Sequence, residues 1–166
     1  MDKITRGIQA AATSLGNRPE QGNAVARAIM TTDTVPKAVS CRVRLSEGEA
    51  TVTGIAKGAG MIHPRLATML SFITTDAGIG ARDLQIALRS AVEVSFNCIT
   101  VDSDTSTSDT CLLFATGAAA KRGQQPVSEA SDARLAAFSA ALHEVMRDLA
   151  IQARNHPRLF ATSIYQ

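Results

Sequence analysis

A threonine, a lysine eleven residues before it and three glycines around that lysine mark the stretch of this chain whose residue types can do chemistry. From Gly54 to Leu70 the sequence reads GIAKGAGMIHPRLATML. Glycine takes positive φ at little cost and lets backbone approach a ligand, so Gly54, Gly58 and Gly60 predict an irregular loop. Lys57 inside that loop offers a cation to a carboxylate. Thr68 follows the small Ala67 and leads into an apolar run. A threonine hydroxyl is a weak nucleophile until a base lies beside it, and one such base is the threonine's own α-amine once the preceding peptide bond is cut. That amine has an ordinary pKa of about 7.7–8.0, so a good share of it is neutral near physiological pH. Taken one at a time, Thr68 reads as a strand threonine and Lys57 as a solvated surface lysine; together they read as a site.

The elements that must hold these residues follow from hydrophobic period. Ile4, Ile8, Ala11, Ala12 and Leu15 recur at helical spacing and predict a helix over 3–15 that stops at Gly16. A polar turn over 17–22 containing Pro19 precedes a short helix over 23–30. Val39, Cys41, Val43 and Leu45 alternate with polar residues, and 50–56 follows a turn at 46–49, so 38–56 predicts a β-hairpin that delivers the Lys57 loop. The run after Thr68 reads as a buried strand to Thr75, with the hydroxyl at its first residue, on a rigid element. A helix is predicted over 81–94, a strand over 97–101, and a short helix capped by Ser108 or Asp109 running through Leu112, Leu113 and Ala115 to Gly117. A loop over 118–131 then leads to Asp132, which caps a long amphipathic helix carrying Leu135, Phe138, Leu142, Val145, Met146 and Leu149. The fold class is α+β. Residues 1–151 form one domain, and 152–166, with no clear period, a divergent tail.

Composition excludes several classes. The 166 residues suffice for one domain with a real core, and 45% hydrophobic with 19% charged residues is ordinary for a globular protein. A net charge of +2 with scattered basic residues points away from nucleic acid and membrane surfaces. Five Phe, one Tyr and no Trp leave no stacking platform for bases. No apolar run approaches the ~20 residues of a spanning helix. Cys41, Cys98 and Cys111 are an odd, widely spaced set that reads as buried thiols of a cytoplasmic protein.

Other motifs fail on inspection. Asp102, Asp104 and Ser106 imitate the start of a calcium loop, but Thr107 stands where its glycine is needed and Leu113 where its bidentate glutamate is needed. The run Asp102 to Thr110 reads instead as a hydrogen-bonded loop supporting the nucleophile, with no catalytic part assigned to Asp102, Asp104 or Asp109. Gly58-Ala59-Gly60 lacks the third glycine and the Lys-Ser/Thr of phosphate loops. His63, His143 and His156 are too far apart in sequence to predict a metal cluster, and His143 reads as a helix-surface residue.

Three ordered motifs carry a resemblance. They are Ile29-Met30-Thr31-Thr32-Asp33-Thr34 followed by Pro36-Lys37; Lys57-Gly58-Ala59-Gly60-Met61-Ile62-His63-Pro64-Arg65-Leu66-Ala67-Thr68-Met69-Leu70; and Ser95-Phe96-Asn97 running into Asp102 to Thr110. They resemble the ornithine acetyltransferase family of arginine biosynthesis, the bifunctional glutamate N-acetyltransferases. The resemblance implies an αββα-like N-terminal-nucleophile (DmpA/ArgJ-like) architecture, of which this chain is a piece. It implies self-cleavage between Ala67 and Thr68, then acetyl transfer from N-acetylornithine to glutamate through an acetyl-threonine. It implies substrate contacts from Thr31 and Lys57. It implies no bound cofactor, with acetyl-CoA a co-substrate only in bifunctional members, and homo- or hetero-oligomers of cleaved chains.

The resemblance spans Met1 to Gln152, well under half of a complete member. Family members carry an upstream Thr-Gly pair that forms the oxyanion hole, a downstream Gly-Glu-Gly-Ala-Thr segment whose glutamate serves the site, and a final Asn and Thr. After the last helix this sequence reads Ala153-Arg154-Asn155-His156-Pro157-Arg158-Leu159-Phe160. The expectation is that another chain supplies these parts or that the chain is a truncated remnant with little activity. A related N-terminal-nucleophile aminopeptidase is the alternative enzyme.

Overall fold

Alternation of apolar with polar residues builds β1 (Lys37–Leu45), which pairs antiparallel with β2 (Gly48–Lys57) as the predicted hairpin. The computed structural model describes residues 1–45, 48–59, 69–100, 108–127 and 132–155. β3 (Leu70–Thr75) adds antiparallel to β2, and β4 (Thr110–Ala115) adds parallel to β3, giving one mixed sheet in the order β1-β2-β3-β4. The described residues also form four α-helices, α1 (Asp2–Thr13), α2 (Pro19–Ala28), α3 (Ala81–Glu93) and α4 (Ala133–Asn155), of which α1 buries none of its residues. Helices packed on a mixed sheet make the domain α+β.

The core lies between the sheet and α4. Phe138, Leu142, Val145, Met146 and Leu149 of α4 are fully buried against Val43 and Leu45 of β1, Ala50, Val52 and Ala56 of β2, and Ile73 of β3. Burying each such large apolar side chain contributes about 1.5–3 kcal/mol, which makes α4 the principal cover of the sheet. Asp132 caps it as predicted: its Oδ1 accepts from the Arg134 amide at 2.9 Å, and its carboxylate also pairs with the Arg134 guanidinium. α3 packs beside α4 through Ala87 and Ala91, and Ser90 Oγ meets His143 Nε2 at 3.3 Å between the two helices. The opposite face carries Ile55, Phe72, Leu112 and Phe114, the last two 41% and 49% exposed. None of the helices among the described residues is long and apolar enough to cross a membrane.

Several expectations are corrected. Residues 110–115 form a strand and not a helix. A six-residue apolar run carries no decisive period, and the open edge of β3 captures it as a parallel neighbour. Phe96–Cys98 is a 3-10 turn where a strand over 97–101 is predicted. Ser95 Oγ donates to the Ala91 carbonyl and Cys98 Sγ to the Glu93 carbonyl, so the segment tightens the end of α3. Cys98 is exposed, not buried, and Cys41 and Cys111 are half-buried. α2 starts at Pro19, the position proline favours at a helix start, with Gln21 Oε1 accepting from the Arg18 amide at 2.9 Å. A 3-10 turn, Ala118–Arg122, interrupts the predicted 118–131 loop between left-handed Gly117 and Gly123. α4 runs past the loss of period at residue 152 to Asn155, with Ala153 buried. The run Val101 to Thr107, with Asp102 and Asp104, lies outside the described residues.

Gly54 is not part of a loop. It sits inside β2, and a Cβ there would meet Leu149 Cδ1 at 2.7 Å and Val145 Cγ1 at 3.2 Å, so its role is to let α4 approach the sheet. Gly54→Val is expected to lower stability by about 1–3 kcal/mol in urea denaturation, the usual cost of overpacking a filled core. An unchanged midpoint would contradict this packing.

Candidate active site

One end of the sheet carries Lys57 and, tied beside it, the loop bearing Thr31. The row Lys57–Leu70–Thr110 crosses β2, β3 and β4 at that end, and Lys37 opens β1 beside Ala56. Lys57 is only 8% exposed. It lies within electrostatic reach of Asp109, the residue before β4. A lysine at the end of a strand, among glycines, ordinarily remains in water; this one is withdrawn into the molecule.

Asp33 organises the loop between α2 and β1. Its Oδ1 accepts from the Gly58 amide at 2.8 Å and from the Lys37 ammonium, and its Oδ2 accepts from the Thr31 amide at 3.3 Å. The Asp33 and Lys37 side chains are both fully buried. Burial alone pushes the Asp33 carboxyl up; the Lys37 ammonium and the Gly58 and Thr31 amides outweigh it and hold the group below its ordinary 3.8. Gly58 reaches this carboxylate at φ 147, a backbone conformation that residues with side chains avoid. The loop carrying Thr31 and the loop carrying Lys57 are thus bonded to one carboxylate.

A second carboxylate stands at the entry to β3. Met69 donates its amide to Asp109 Oδ1 at 2.7 Å, and its carbonyl accepts from the Thr110 amide at 3.0 Å. Burial pushes the Asp109 carboxyl up from its ordinary 3.8 to about 6, although the Met69 amide and the Lys57 charge pull the other way. Cys111 is likewise pushed up by burial, to about 11, so its thiol stays protonated and serves packing.

The model of the ArgJ family matches residues 1–155. The chain belongs to that family. Among curated relatives it is 59% identical over 134 residues to the arginine biosynthesis bifunctional protein ArgJ of Nitrobacter winogradskyi, covering 81% of this chain and 32% of that protein. The protein of the same name from Methylococcus capsulatus is 49% identical over 151 residues, covering 90% of this chain and 35% of that protein. The crystal structure of the arginine biosynthesis bifunctional protein argJ from Bacillus halodurans aligns at TM-score 0.44 with 38% identity, covering 49% of this chain and 36% of that chain. The chain spans about a third of the length of the curated ArgJ relatives it matches.

Against the expected site, Lys57 and Thr31 come to the same end of the sheet, Lys57 buried and Thr31 exposed. Ala67 and Thr68 lie outside the described residues, as do Gly60 to Leu66. The first described residue after them, Met69, is buried at the entry to β3. Two carboxylates at this end of the sheet were not legible as such. Asp33 sits in a Thr-Thr-Asp-Thr run that looks like a turn, and only its long-range bond to Gly58 reveals its part. Asp109 reads as a helix cap, yet it caps the entry of a neighbouring strand.

Two predictions follow from the carboxylates. Asp33→Ala leaves Lys37 as an uncompensated buried charge and is expected to cost about 3–5 kcal/mol in urea denaturation. The double variant Asp33→Leu with Lys37→Met is expected to recover most of that loss, and a double variant as unstable as the single would contradict the pairing. Asp109 has a folded pKa above its unfolded value, so its charged form costs stability above about pH 6, and that cost fades as the pH falls through 6 toward 3.8. Asp109→Asn is therefore expected to raise the urea midpoint at pH 7 and to raise it less at pH 5. An equal change at both pH values would contradict the shift.

Proposed function

We propose that this chain carries the self-cleavage site and nucleophile of an acetyltransferase of arginine biosynthesis that moves an acetyl group from N-acetylornithine to glutamate. What supports the reading most is the family match over residues 1–155, which takes in the motif from Lys57 to Leu70, together with a buried Lys57 at the sheet end where the loop bearing Thr31 is tied. In this reading Thr68 Oγ attacks the Ala67 carbonyl carbon and the acyl group passes from the nitrogen of Thr68 to its oxygen. Water then hydrolyses the ester, leaving a carboxylate on Ala67 and a free α-amine on Thr68. That amine is the base for the second task. It takes the hydroxyl proton as Oγ attacks the acetyl carbonyl of N-acetylornithine; the ornithine amine leaves with a proton, and the acetyl group stays on Thr68. The amine of glutamate attacks that ester and releases Thr68 unchanged.

Lys57 and Thr31 bind substrate in this scheme, the lysine meeting a carboxylate and the threonine offering polar contacts. No bound cofactor is needed, because the acetyl group rides on the threonine; acetyl-CoA enters as a co-substrate where a family member is bifunctional. The architecture is the αββα-like sandwich of N-terminal-nucleophile enzymes, and the compartment is the cytoplasm.

In this reading the sheet holds the two products of the cut together. The bond between Ala67 and Thr68 lies in the connection between β2 and β3, and those strands pair over six residues, Val52–Lys57 against Thr75–Leu70. The first product also keeps β1 and β2 under α4, which belongs to the second product. Two fragments meeting between Ala67 and Thr68 are therefore expected in denaturing mass spectrometry, and a single species holding both in native mass spectrometry. Thr68→Ala is expected to give one chain of 17.4 kDa. A wild-type chain that stays whole would contradict the reading. Once cut, peptide hydrolysis in place of acetyl transfer would assign the aminopeptidase chemistry instead.

A further inference from the structure

The residue after the nucleophile is held at both polar groups of its backbone. Its carbonyl bond, Thr110 amide to Met69 at 3.0 Å, continues the parallel ladder that starts at Leu70 and Thr110. Its amide bond differs in kind: the acceptor is a side chain, Asp109 Oδ1 at 2.7 Å. The nitrogen in that bond belongs to the peptide that joins Thr68 to Met69. At the mouth of a parallel pair this amide would otherwise need water or an irregular partner.

We propose that Asp109 is a positioning residue for the nucleophile, holding the peptide by which Thr68 is attached to β3. The proposal rests on Thr68 acting as described above. Attack on the Ala67 carbonyl, and later on an acetyl carbonyl, requires Oγ within near-attack distance, and a displacement of about 1 Å costs roughly 10²-fold in rate. Once the Ala67–Thr68 bond is broken, Thr68 is a chain end with a covalent tether on one side only. The Asp109 bond then fixes the first peptide of that tether, and β4 carries the anchor on a strand paired to β3 along its whole length. A carboxylate is well suited to the task because a charged acceptor makes a shorter and stronger bond to an amide than a neutral one. The burial of this carboxylate works against folding, a cost to stability of the kind that functional groups commonly carry.

The test compares wild type, Asp109→Ala and Asp109→Asn in the full chain. Asparagine keeps an Oδ1 acceptor for the Met69 amide, whereas alanine removes it. Cleavage between Ala67 and Thr68, followed by intact mass after synthesis, is expected to slow roughly 10–100-fold in Asp109→Ala and to stay within a few-fold of wild type in Asp109→Asn. In parallel, amide exchange is read in a Thr68→Ala background so that every sample is uncut. There the Met69 amide is expected to exchange at least about ten-fold faster in Asp109→Ala, while Ile73 in the middle of β3 keeps its protection. Wild-type cleavage rates in Asp109→Ala, or equal loss in both variants, overturn the proposal. If the wild-type chain is itself not cut, the proposed function fails, and exchange alone decides the clamp: faster Met69 exchange in Asp109→Ala supports it, and unchanged exchange overturns it.

Discussion

A buried carboxylate has to be satisfied, and much of one end of the sheet is arranged so that Asp33 is. Leaving an ionised group without partners in the interior costs several kcal/mol, so its surroundings are chosen by it. Three demands follow. Lys37 must begin β1 and turn its ammonium inward, where it is fully buried. Gly58 must present its amide at a positive φ just past the end of β2. The segment between α2 and β1 must fold back so that the Thr31 amide reaches the same group. One titratable side chain thereby sets where two loops from distant parts of the sequence meet.

The sheet provides the second constraint. Its order follows the chain, but the direction changes at the last step, with β3 and β4 parallel. The entries of β3 and β4 consequently fall at the same end as the exit of β2 and the start of β1. That placement puts Lys57, Met69 and Asp109 together, and the parallel pairing of β3 with β4 is what lets Asp109 reach the Met69 amide. The packing of α4 on β1 and β2 is in turn possible because Gly54 offers no Cβ where Leu149 and Val145 press down. Site and core share strands, so the scheme of a cut and retained chain asks nothing of the fold beyond pairing already present.

Legibility in the sequence followed the range of the interactions involved. The hairpin was readable because Val39 to Leu45 alternate strictly, and α4 because its buried face repeats over about four turns behind an aspartate cap. The family was readable because the glycines, Lys57 and Thr68 fall within one short stretch of sequence, which the family match takes in. β4 was not, since Thr110 to Ala115 is too short for period to separate helix from strand, and the deciding partner, β3, lies forty residues earlier. Asp109 misled for a related reason: an aspartate before an apolar run signals a cap, and only the tertiary structure tells which chain element it caps. Asp33 hid inside a polar run whose burial depends on Gly58, twenty-five residues on. Gly54 looked like loop glycine because the helix that requires it lies far downstream.

The central claim is that Thr68, freed as a chain end, carries the acetyl group. The most direct measurement is to mix the protein with N-acetylornithine in the absence of glutamate, quench in acid and map acetylation by peptide mass. The account predicts an acetyl increment on the peptide that begins with Thr68, removed when glutamate is added before the quench. An unmodified Thr68 peptide in a cleaved, folded sample, or an acetyl group found only on lysines, would contradict it.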